Sequence, residues 1–348
     1  MRPYLLVAAG LLVTVVVAAG VAFAVLQLNP QQANLRAGVT IAEDSALVQA
    51  AARATPAVVS IVTQQQPQIA RGSGYLATGD GYIVTSVDVI AGASGLTVLI
   101  TGDSTPHTAR LIDYDCQTGV AVIKIDKVSG LPTLAFADPT ALVQGQPVIG
   151  LGGPLDGGAV SPGYVSAMHR SMTSPDPGGI GPSSGFVDTI QITAPVDSRT
   201  AGGPLLNLSG QVVGIAMQPA GGSAGGYALS VAGVQDDVQQ ILQSGQVVVA
   251  SLGASTEVVD AAAAALTGVP EGGQVVTVTV NGPAATSGLQ AGDIITQVDD
   301  VKVDAADPLD LLLRSRFHLN QRVTVTYWRN GSSTQVELTL GGSHPSCQ

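Results

Sequence analysis

The amino-acid sequence predicts a mostly β protein that is built on a double β-barrel and carries one membrane-spanning helix at its N-terminus. Short β-branched runs, separated by Gly, Asp and Pro turns, recur to about residue 230, as is typical of antiparallel barrels. Apolar residues at helical spacing over Gln235–Ser244 then predict a helix that closes this domain. The 348 residues leave room for two or three domains with ample core.

An apolar run at the start of the chain predicts the membrane anchor. Leu5–Leu28 contains no charged residue over 24 positions, which is enough for a helix to cross a bilayer. Arg2 precedes the run, which favours a cytoplasmic N-terminus with the bulk of the chain outside the cytoplasm. A second interpretation is a signal peptide that is cleaved near Ala24, giving a secreted protein. The sequence thus assigns 1–28 to a cytoplasmic tip and anchor, and 29–47 to a polar linker.

Composition excludes several kinds of function. The net charge of −11 argues against a nucleic-acid partner, because such proteins present a basic patch. No group of histidines and acidic residues has the spacing of metal ligands, and no glycine-rich loop joins a strand to a helix as at a nucleotide site. We therefore expect neither a metal nor a cofactor.

Six segments share their order and spacing with one family of proteases. They resemble the HtrA/DegP-type trypsin-like serine proteases, and the similarity extends over about residues 48–340. The resemblance implies a trypsin-like double barrel over residues 48–245. The six segments are 54–61, 72–76, 79–90, 115–125, 145–155 and 197–206.

The resemblance places the catalytic positions of the family on residues that lack its chemistry. The family's histidine falls on Asp88, its aspartate on Gly119 and its nucleophilic serine on Ala201. A methyl group is not a nucleophile, and a carboxylate with an ordinary pKa of about 4 is too weak a base for a serine hydroxyl. Because the triad works as a unit, we expect a catalytically inactive member of the family.

The oxyanion hole is expected to be altered as well. Its two backbone donors fall on Arg199 and Ala201. The family has glycine at the first position because residues with a Cβ adopt that backbone conformation only at a cost, so arginine predicts a differently folded loop. Ser198 and Thr200, beside the lost serine, are interpreted as turn residues. No motif places a histidine beside Ala201; the four histidines are His107, His169, His318 and His344.

Three local features are predicted from pattern. Glu43–Arg53 has helical character and ends before Pro56. Ser171–Gly185 is rich in Pro, Gly and Ser, which predicts a mobile loop. Asp88 follows Ser86 closely, and we expect this pair to have a turn or cap function.

The remaining segment, residues 246–341, resembles the PDZ domains of the same family, which have an α+β fold. The match is strongest over Gly282–Ile295. Residues 342–348 are left as a C-terminal tail. The resemblance implies a helix along the peptide groove and a closing hairpin, at Asp310–Arg316, Arg322–Arg329 and Gln335–Leu340.

PDZ domains capture the C-terminus of a peptide by β-augmentation, with the N–H groups of a short loop around the carboxylate. The resemblance places this loop on Ser251, Leu252, Gly253 and Ala254. Ser251 replaces an aromatic residue of the family, and Ala254 replaces a larger apolar one. We expect carboxylate capture to survive and the pocket for the terminal side chain to change shape. The other interpretation is a PDZ fold kept as a rigid spacer or subunit contact.

Cys116 and Cys347 are the two cysteines of the chain. The resemblance implies an oxidising location, where the two could pair and pin the C-terminal tail across the first barrel. Equally, Cys116 could be a small core residue and Cys347 a free thiol. The sequence leaves both interpretations open.

Three functions follow as hypotheses. The first is a membrane-anchored, non-catalytic HtrA-like protein that binds peptide C-termini or unfolded polypeptides, as an adaptor or scaffold in envelope protein quality control. The second is an inactive regulatory subunit in a mixed assembly with an active homologue, since the resemblance implies homo- or hetero-trimers. The third is an active serine-type endopeptidase with a relocated site, for which the sequence offers no nucleophile and base.

Overall fold

The computed structural model describes residues 42–65, 68–173, 185–217 and 225–345. The predicted anchor, the linker up to residue 41, most of the predicted loop Ser171–Gly185 and Cys347 lie outside these residues. Within the described ranges, no helix is both long enough and apolar enough to cross a membrane. From Gln49 onward the chain belongs to one compact unit.

The first helix lies where the sequence predicts it. Helix α1 spans Ala42–Ala54 and confirms the prediction for Glu43–Arg53. It gives way to the 3-10 turn Thr55–Ala57 because Pro56 has no amide to continue the helical hydrogen bonds. The chain then enters the first barrel directly.

The first barrel is a closed sheet of six antiparallel strands with the order β1-β2-β3-β6-β5-β4. Its alternating residues point inward, as in β4, where Leu96, Val98 and Ile100 are buried and their neighbours are partly exposed. A short helix, α2, follows β3. The elements are β1 (Val58–Gln65), β2 (Gln68–Leu76), β3 (Tyr82–Ser86), α2 (Val87–Ile90), β4 (Gly95–Ile100), β5 (His107–Asp115) and β6 (Val120–Ile125).

The second barrel repeats this architecture with the order β10-β11-β12-β9-β8-β7. Its core is formed by buried apolar side chains that include Val148, Ile190 and Leu205. The two closed barrels confirm the predicted trypsin-like double barrel. The strands are β7 (Pro147–Gly152), β8 (Ala159–Thr173), β9 (Gly185–Ile192), β10 (Pro204–Leu206), β11 (Val212–Met217) and β12 (Gly226–Ser230).

Helix α3 (Val231–Ser244) closes the barrel domain and starts four residues before the predicted helix. The Ser230 hydroxyl accepts a hydrogen bond from the Ala232 amide and caps its N-terminus. Gly245 ends it in the left-handed conformation, with φ +81°. The buried face of α3 includes Val234 and Val238, which lie four residues apart as an amphipathic helix requires.

The second domain is a sheet flanked by short helices. Five strands follow the order β14-β15-β16-β18-β19, β17 pairs with β16, and β13 and β20 form a separate two-stranded sheet. The predicted groove helix and closing hairpin correspond to α6 and to β18–β19. The elements are β13 (Val249–Ser251), β14 (Ala254–Val259), α4 (Ala261–Thr267), β15 (Gly272–Val278), α5 (Pro283–Thr286), β16 (Ile294–Val298), β17 (Val301–Lys302), α6 (Leu309–Arg316), β18 (Arg322–Arg329), β19 (Ser332–Thr339) and β20 (Gly341–Ser343).

A buried guanidinium attaches the second domain to the barrel domain. Arg314 of α6 donates to Asp115 Oδ2 at 2.6 Å and to the two carboxylate oxygens of Asp237 at 2.6 and 2.5 Å. The side chains of Asp115 and Asp237 are 0% and 4% exposed. One cation therefore joins α6 to α3 and to the segment between β5 and β6, residues 115–119, which we call the β5–β6 turn.

The β5–β6 turn is also ordered from within. Asp115 Oδ1 accepts hydrogen bonds from the Gln117 and Thr118 amides at 2.7 and 3.2 Å, as in an Asx turn. The Thr118 hydroxyl donates to Asp237 Oδ2 at 2.7 Å. Both carboxylates that bind the guanidinium therefore also stabilise the turn.

Further contacts from the second domain reach the residues beside this turn. Asp113 accepts a hydrogen bond from the Val247 amide at 2.7 Å, and its other oxygen lies 2.7 Å from His344 Nε2. Cys116 is disulfide-bonded, whereas Cys347 lies outside the described residues, so the pairing of these two cysteines stays a prediction. The second domain is thus attached both to residues 113–115 of the first barrel and to Asp237 of α3.

Arg314→Ala is expected to lower the free energy of unfolding by about 3–5 kcal/mol, because it leaves two buried carboxylates without their cation. Arg322→Ala is the matched control, since Arg322 pairs with Glu337 through side chains that are 75% and 61% exposed. Its expected cost is under about 1 kcal/mol. Urea unfolding at neutral pH measures both variants. Similar small losses for the two would show that Arg314 does not hold the domains together.

Asp237 is expected to give the stability a pH dependence. Burial raises the pKa of Asp237 to about 6 against the attraction of Arg314, and the nearby Asp115 and Asp236 carboxylates add to the rise. The folded protein keeps this proton to higher pH than the unfolded chain, whose aspartates titrate at about pH 4. The contribution of Asp237 to the free energy of unfolding therefore falls as the pH rises from about 4 to about 6, and is constant above that.

The variant Asp237→Asn lacks this titration. The natural protein's free energy of unfolding, minus that of the variant, should decrease by about 3 kcal/mol between about pH 4 and pH 6. Urea unfolding at several pH values measures the difference. A difference that stays flat or grows over this interval would contradict the assignment.

Candidate functional site

The structure brings the three triad-equivalent positions to one place where the barrels meet. Asp88 lies in the first turn of α2. Val87, just before it, donates its amide to the Gly119 carbonyl at 2.8 Å. Ala201 is 4% exposed and packs in the core of the first barrel together with Val89. The sequence positions are therefore close in space, as the resemblance implies.

These positions carry neither a nucleophile nor an imidazole. Ala201 presents a buried methyl group, and Gly119 is a turn residue with φ +77°. Acyl transfer requires a hydroxyl or thiol beside a base that can take its proton, with a third group to orient that base. Asp88 is the one titratable side chain among the three positions.

The predicted cap function of Ser86 is not what the structure shows. Ser86 does occupy the position before α2, but its hydroxyl makes no capping hydrogen bond. Its Oγ is buried and has no hydrogen-bond partner among the described residues. Ser86 therefore does not cap α2 through its side chain, and a turn or cap function of Asp88 stays a prediction.

The backbone amides of the loop from Asp197 to Ala201 form hydrogen bonds within the loop itself. The Asp197 carbonyl accepts hydrogen bonds from the Thr200 and Ala201 amides at 3.0 and 2.8 Å. Asp197 Oδ1 accepts from the Arg199 amide at 2.9 Å, and the Arg199 guanidinium donates to Oδ2 at 2.6 and 2.9 Å. An oxyanion hole needs donors that point at the substrate. Here the amides of both oxyanion-equivalent residues are directed to Asp197.

Asp197 is the residue that organises this loop. Burial disfavours its charge, but the hydrogen bonds from Arg199 outweigh that cost and hold the pKa of Asp197 below its ordinary value. The Thr200 hydroxyl accepts a hydrogen bond from the Asp197 amide at 3.1 Å, which fits the turn role predicted for Thr200. Ser198 is exposed. The loop is thus folded around an ion pair rather than around a substrate oxygen.

Close packing explains why the glycines after Ala201 remain. Gly202 has φ +77°, and a Cβ there would lie 2.2 Å from Thr85 Oγ1. A Cβ on Gly203 would lie 2.1 Å from the Leu151 carbonyl. The glycine pair is therefore required for the two barrels to approach each other, whether or not a nucleophile precedes it.

Ser73 links this loop to the first barrel. Its hydroxyl donates to the Arg199 carbonyl at 2.6 Å and accepts from the Gly153 amide at 2.8 Å. Its amide donates to the Ala201 carbonyl at 2.7 Å. Sequence reasoning assigned no role to Ser73, because its partners lie 80 and 126 residues away and leave no local pattern.

The histidines whose side chains are described serve elsewhere. His107 Nε2 lies 2.9 Å from Asp103 on the surface of the first barrel. His344 bonds to Asp113, and His318 lines a cavity of about 630 Å³ beside α3 and α6. The side chain of His169 lies outside the described residues. Among the residues that the structure describes, no group of three or more His, Cys, Asp or Glu side chains is arranged to hold a metal.

The peptide carbonyls of the loop after β13 are bonded within the domain. The Leu252 carbonyl accepts from the Ala284 amide, and the Gly253 carbonyl accepts from the Thr279 amide, both at 2.8 Å. Because the C=O and N–H of a trans peptide point in opposite directions, the amides of Gly253 and Ala254 point away from these partners. Successive backbone amides of a loop can bind a carboxylate.

Strand β14 and the start of α6 lie where the resemblance implies the two walls of a peptide groove. Strand β14 is at the edge of its sheet and pairs with β15 on one side, with no further described strand on the other. A Cβ on Gly273 would lie 3.4 Å from Leu309 Cβ and 3.5 Å from Thr256 Cβ, so the start of α6 lies beside β14. Ala254 is partly buried against the domain core. A free strand edge beside a helix is the geometry that β-augmentation uses.

Comparison with protein families gives two matches along the chain. Residues 72–215 match the trypsin-like peptidase domain, and residues 250–340 match the PDZ domain. These ranges correspond to the two barrels and to the second domain described above.

Similar proteins are bacterial proteases. The "Probable periplasmic serine endoprotease DegP-like" of Rhizobium meliloti is 34% identical over 280 residues, which is 78% of this chain and 53% of that protein. The "Serine protease Do-like HtrA" of Lactococcus lactis is 33% identical over 293 residues, which is 78% of this chain and 71% of that protein. The chain spans about half the length of most of the curated relatives it matches.

Solved structures show the same fold. An HtrA-type protease, AlgW, solved with a decapeptide, has a TM-score of 0.67 and 26% identity over 86% of this chain and 99% of that one. The serine endoprotease from Yersinia pestis has a TM-score of 0.62 and 25% identity over 85% of this chain and 98% of that one. Both likenesses cover the barrels and the second domain together.

Gly202→Ala is expected to destabilise the barrel domain through both strain and overlap. The positive φ costs about 1–2 kcal/mol for a residue with a Cβ, and the overlap with Thr85 adds about 1–3 kcal/mol. Gly130→Ala is the matched control, with φ +67° and no atom within 4 Å of the added Cβ. Urea unfolding of both variants measures the difference. Equal losses would show that Gly202 is required for its backbone angle alone.

Proposed function

Because the chain belongs to the HtrA/DegP-type trypsin-like serine proteases with a C-terminal PDZ domain, we propose that it is a member that binds polypeptides without cleaving them. Its ligands are the C-termini of peptides or of unfolded proteins. It acts outside the cytoplasm as an adaptor or scaffold in the quality control of envelope proteins.

The arrangement around Ala201 carries the non-catalytic half of this proposal. The nucleophile position has a methyl group, and the amides of Arg199 and Ala201 are occupied by Asp197. Asp88 and Gly119 supply no imidazole and no orienting carboxylate. The loss of a single triad member typically costs about four to six orders of magnitude in rate. All three triad residues are absent and the oxyanion donors are occupied, which leaves no route to proteolysis.

The second domain supports the binding half. The free edge of β14 offers backbone groups to an extended peptide, and the amides of Gly253 and Ala254 lie at one end of the groove. Helix α6 forms the opposite wall. The solved relative AlgW carries a decapeptide, which is consistent with peptide binding by a protein of this architecture.

The proposed location follows from three observations. Leu5–Leu28 is long enough to anchor the chain in a membrane. Relatives are named as periplasmic proteins. Cys116 is disulfide-bonded, and disulfides persist mainly in oxidising compartments. We place the barrels and the PDZ domain outside the cytoplasm, in an assembly that forms as a trimer of this chain.

The full chain, purified in detergent, is expected neither to cleave casein nor to react with a serine-directed fluorophosphonate probe. Ala201→Ser should remain unreactive, because a hydroxyl is restored without a base or an oxyanion hole. The HtrA relative of Lactococcus lactis, treated in parallel, shows that the assay detects an active protease. Gel fluorescence and peptide release are the measurements.

Labelling of the natural chain would contradict the proposal, and the modified residue would identify a relocated nucleophile. A labelled band of another mass that co-purifies with the chain would instead identify an active partner subunit in a mixed assembly.

A further inference from the structure

The hydroxyl of Ser251 occupies one of the amides that a ligand carboxylate would use. Ser251 Oγ accepts a hydrogen bond from the Gly253 amide at 3.0 Å. Gly253 has φ +70°, and a Cβ on it would lie 3.0 Å from Pro283 Cδ. The loop is therefore packed against α5, and this amide keeps its direction. The domain in its free form already contains an acceptor at the end of the groove.

The backbone of Ser251 is fixed as well. Ser251 is the last residue of β13 and pairs with Gly341 of β20. Its side chain thus extends from a two-stranded sheet to the loop that follows. An aromatic residue at this position, as the family resemblance implies, has no hydroxyl at the Oγ position. The hydrogen bond from the Gly253 amide to a side-chain oxygen therefore depends on the serine of this chain.

We propose that Ser251 lowers the affinity of the groove for every ligand, because its hydroxyl competes for the Gly253 amide. This inference rests on the proposed peptide-binding function. A peptide must break the bond between Ser251 and Gly253 before it binds. A free carboxylate replaces it by a charge-assisted hydrogen bond, which is about twice as strong as a neutral one. A neutral carbonyl from the interior of a polypeptide replaces the neutral hydrogen bond to Ser251 with another neutral hydrogen bond.

The competition affects all ligands alike. Ser251 lowers the affinity for charged and neutral ligands by the same factor and leaves the ratio between them unchanged. A free α-carboxylate offsets the broken bond more fully than a neutral carbonyl, because its hydrogen bond to the Gly253 amide is charge-assisted.

The test uses fluorescein-labelled ten-residue peptides with each of the twenty terminal residues, as free acids and as carboxamides. Anisotropy measures their binding to the full chain and to Ser251→Ala and Ser251→Thr. Ser251→Ala is expected to bind both peptide forms about 2- to 10-fold more tightly, as loss of one competing hydrogen bond predicts. The ratio between free acid and carboxamide should not change. Ser251→Thr keeps the hydroxyl and should behave as the natural protein does.

A second readout does not depend on any ligand. The Gly253 amide proton is expected to exchange with solvent faster in Ser251→Ala than in the natural protein, because its acceptor is gone. Hydrogen exchange read by mass spectrometry over the loop measures this rate, and Ser251→Thr should leave it unchanged. An unchanged rate in Ser251→Ala would overturn the inference.

The outcomes separate the inference from the function on which it rests. If Ser251→Ala weakens the free acids and spares the carboxamides, the hydroxyl donates to the ligand and the inference is wrong, while peptide binding stands. If affinity for both forms is unchanged, Ser251 does not compete and the inference is again wrong. If no peptide binds the natural protein or either variant, the peptide-binding function itself is wrong and the inference fails with it.

Discussion

Arg314 places a positive charge inside the contact between the PDZ domain and the barrels, where Asp115 and Asp237 neutralise it. Such a group is stable only while all of its partners stay in place, because removal of one leaves an uncompensated buried charge. The position of the PDZ groove relative to the barrels depends on this contact. The contact lies on the β5–β6 turn, which in the family carries the triad aspartate. In this chain the turn ends in Gly119 and serves to attach a domain.

The barrels keep the form of a protease site because packing requires it. Gly202 and Gly203 lie against Thr85 and Leu151 with no room for a side chain, and Ser73 joins the loop to the first barrel. None of these contacts involves the side chain at position 201. The frame can therefore be retained with alanine at that position, as it is in this chain.

Local pattern and the family resemblance together predicted most of the fold. The helix at Glu43–Arg53, the closing helix and the β-rich character of the barrels follow from periodicity and turn residues, whereas the trypsin-like arrangement and the PDZ domain follow from the resemblance. The contacts of Arg314 were not predictable, because its carboxylate partners lie 77 and 199 residues away and leave no periodic signal. The bond between Ser251 and Gly253 was missed for another reason: the sequence shows a lost aromatic residue, and only the loop geometry shows where the serine hydroxyl lies.

We propose that this protein holds polypeptides without cutting them. The most direct measurement follows one unfolded, fluorescently labelled polypeptide with the full chain for several hours, by anisotropy for binding and by mass spectrometry for its length. We expect saturable binding of a ligand whose mass does not change and whose affinity is lost when its C-terminus is amidated. Fragments that appear in proportion to the amount of protein, or a ligand that stays free at every concentration, would contradict it.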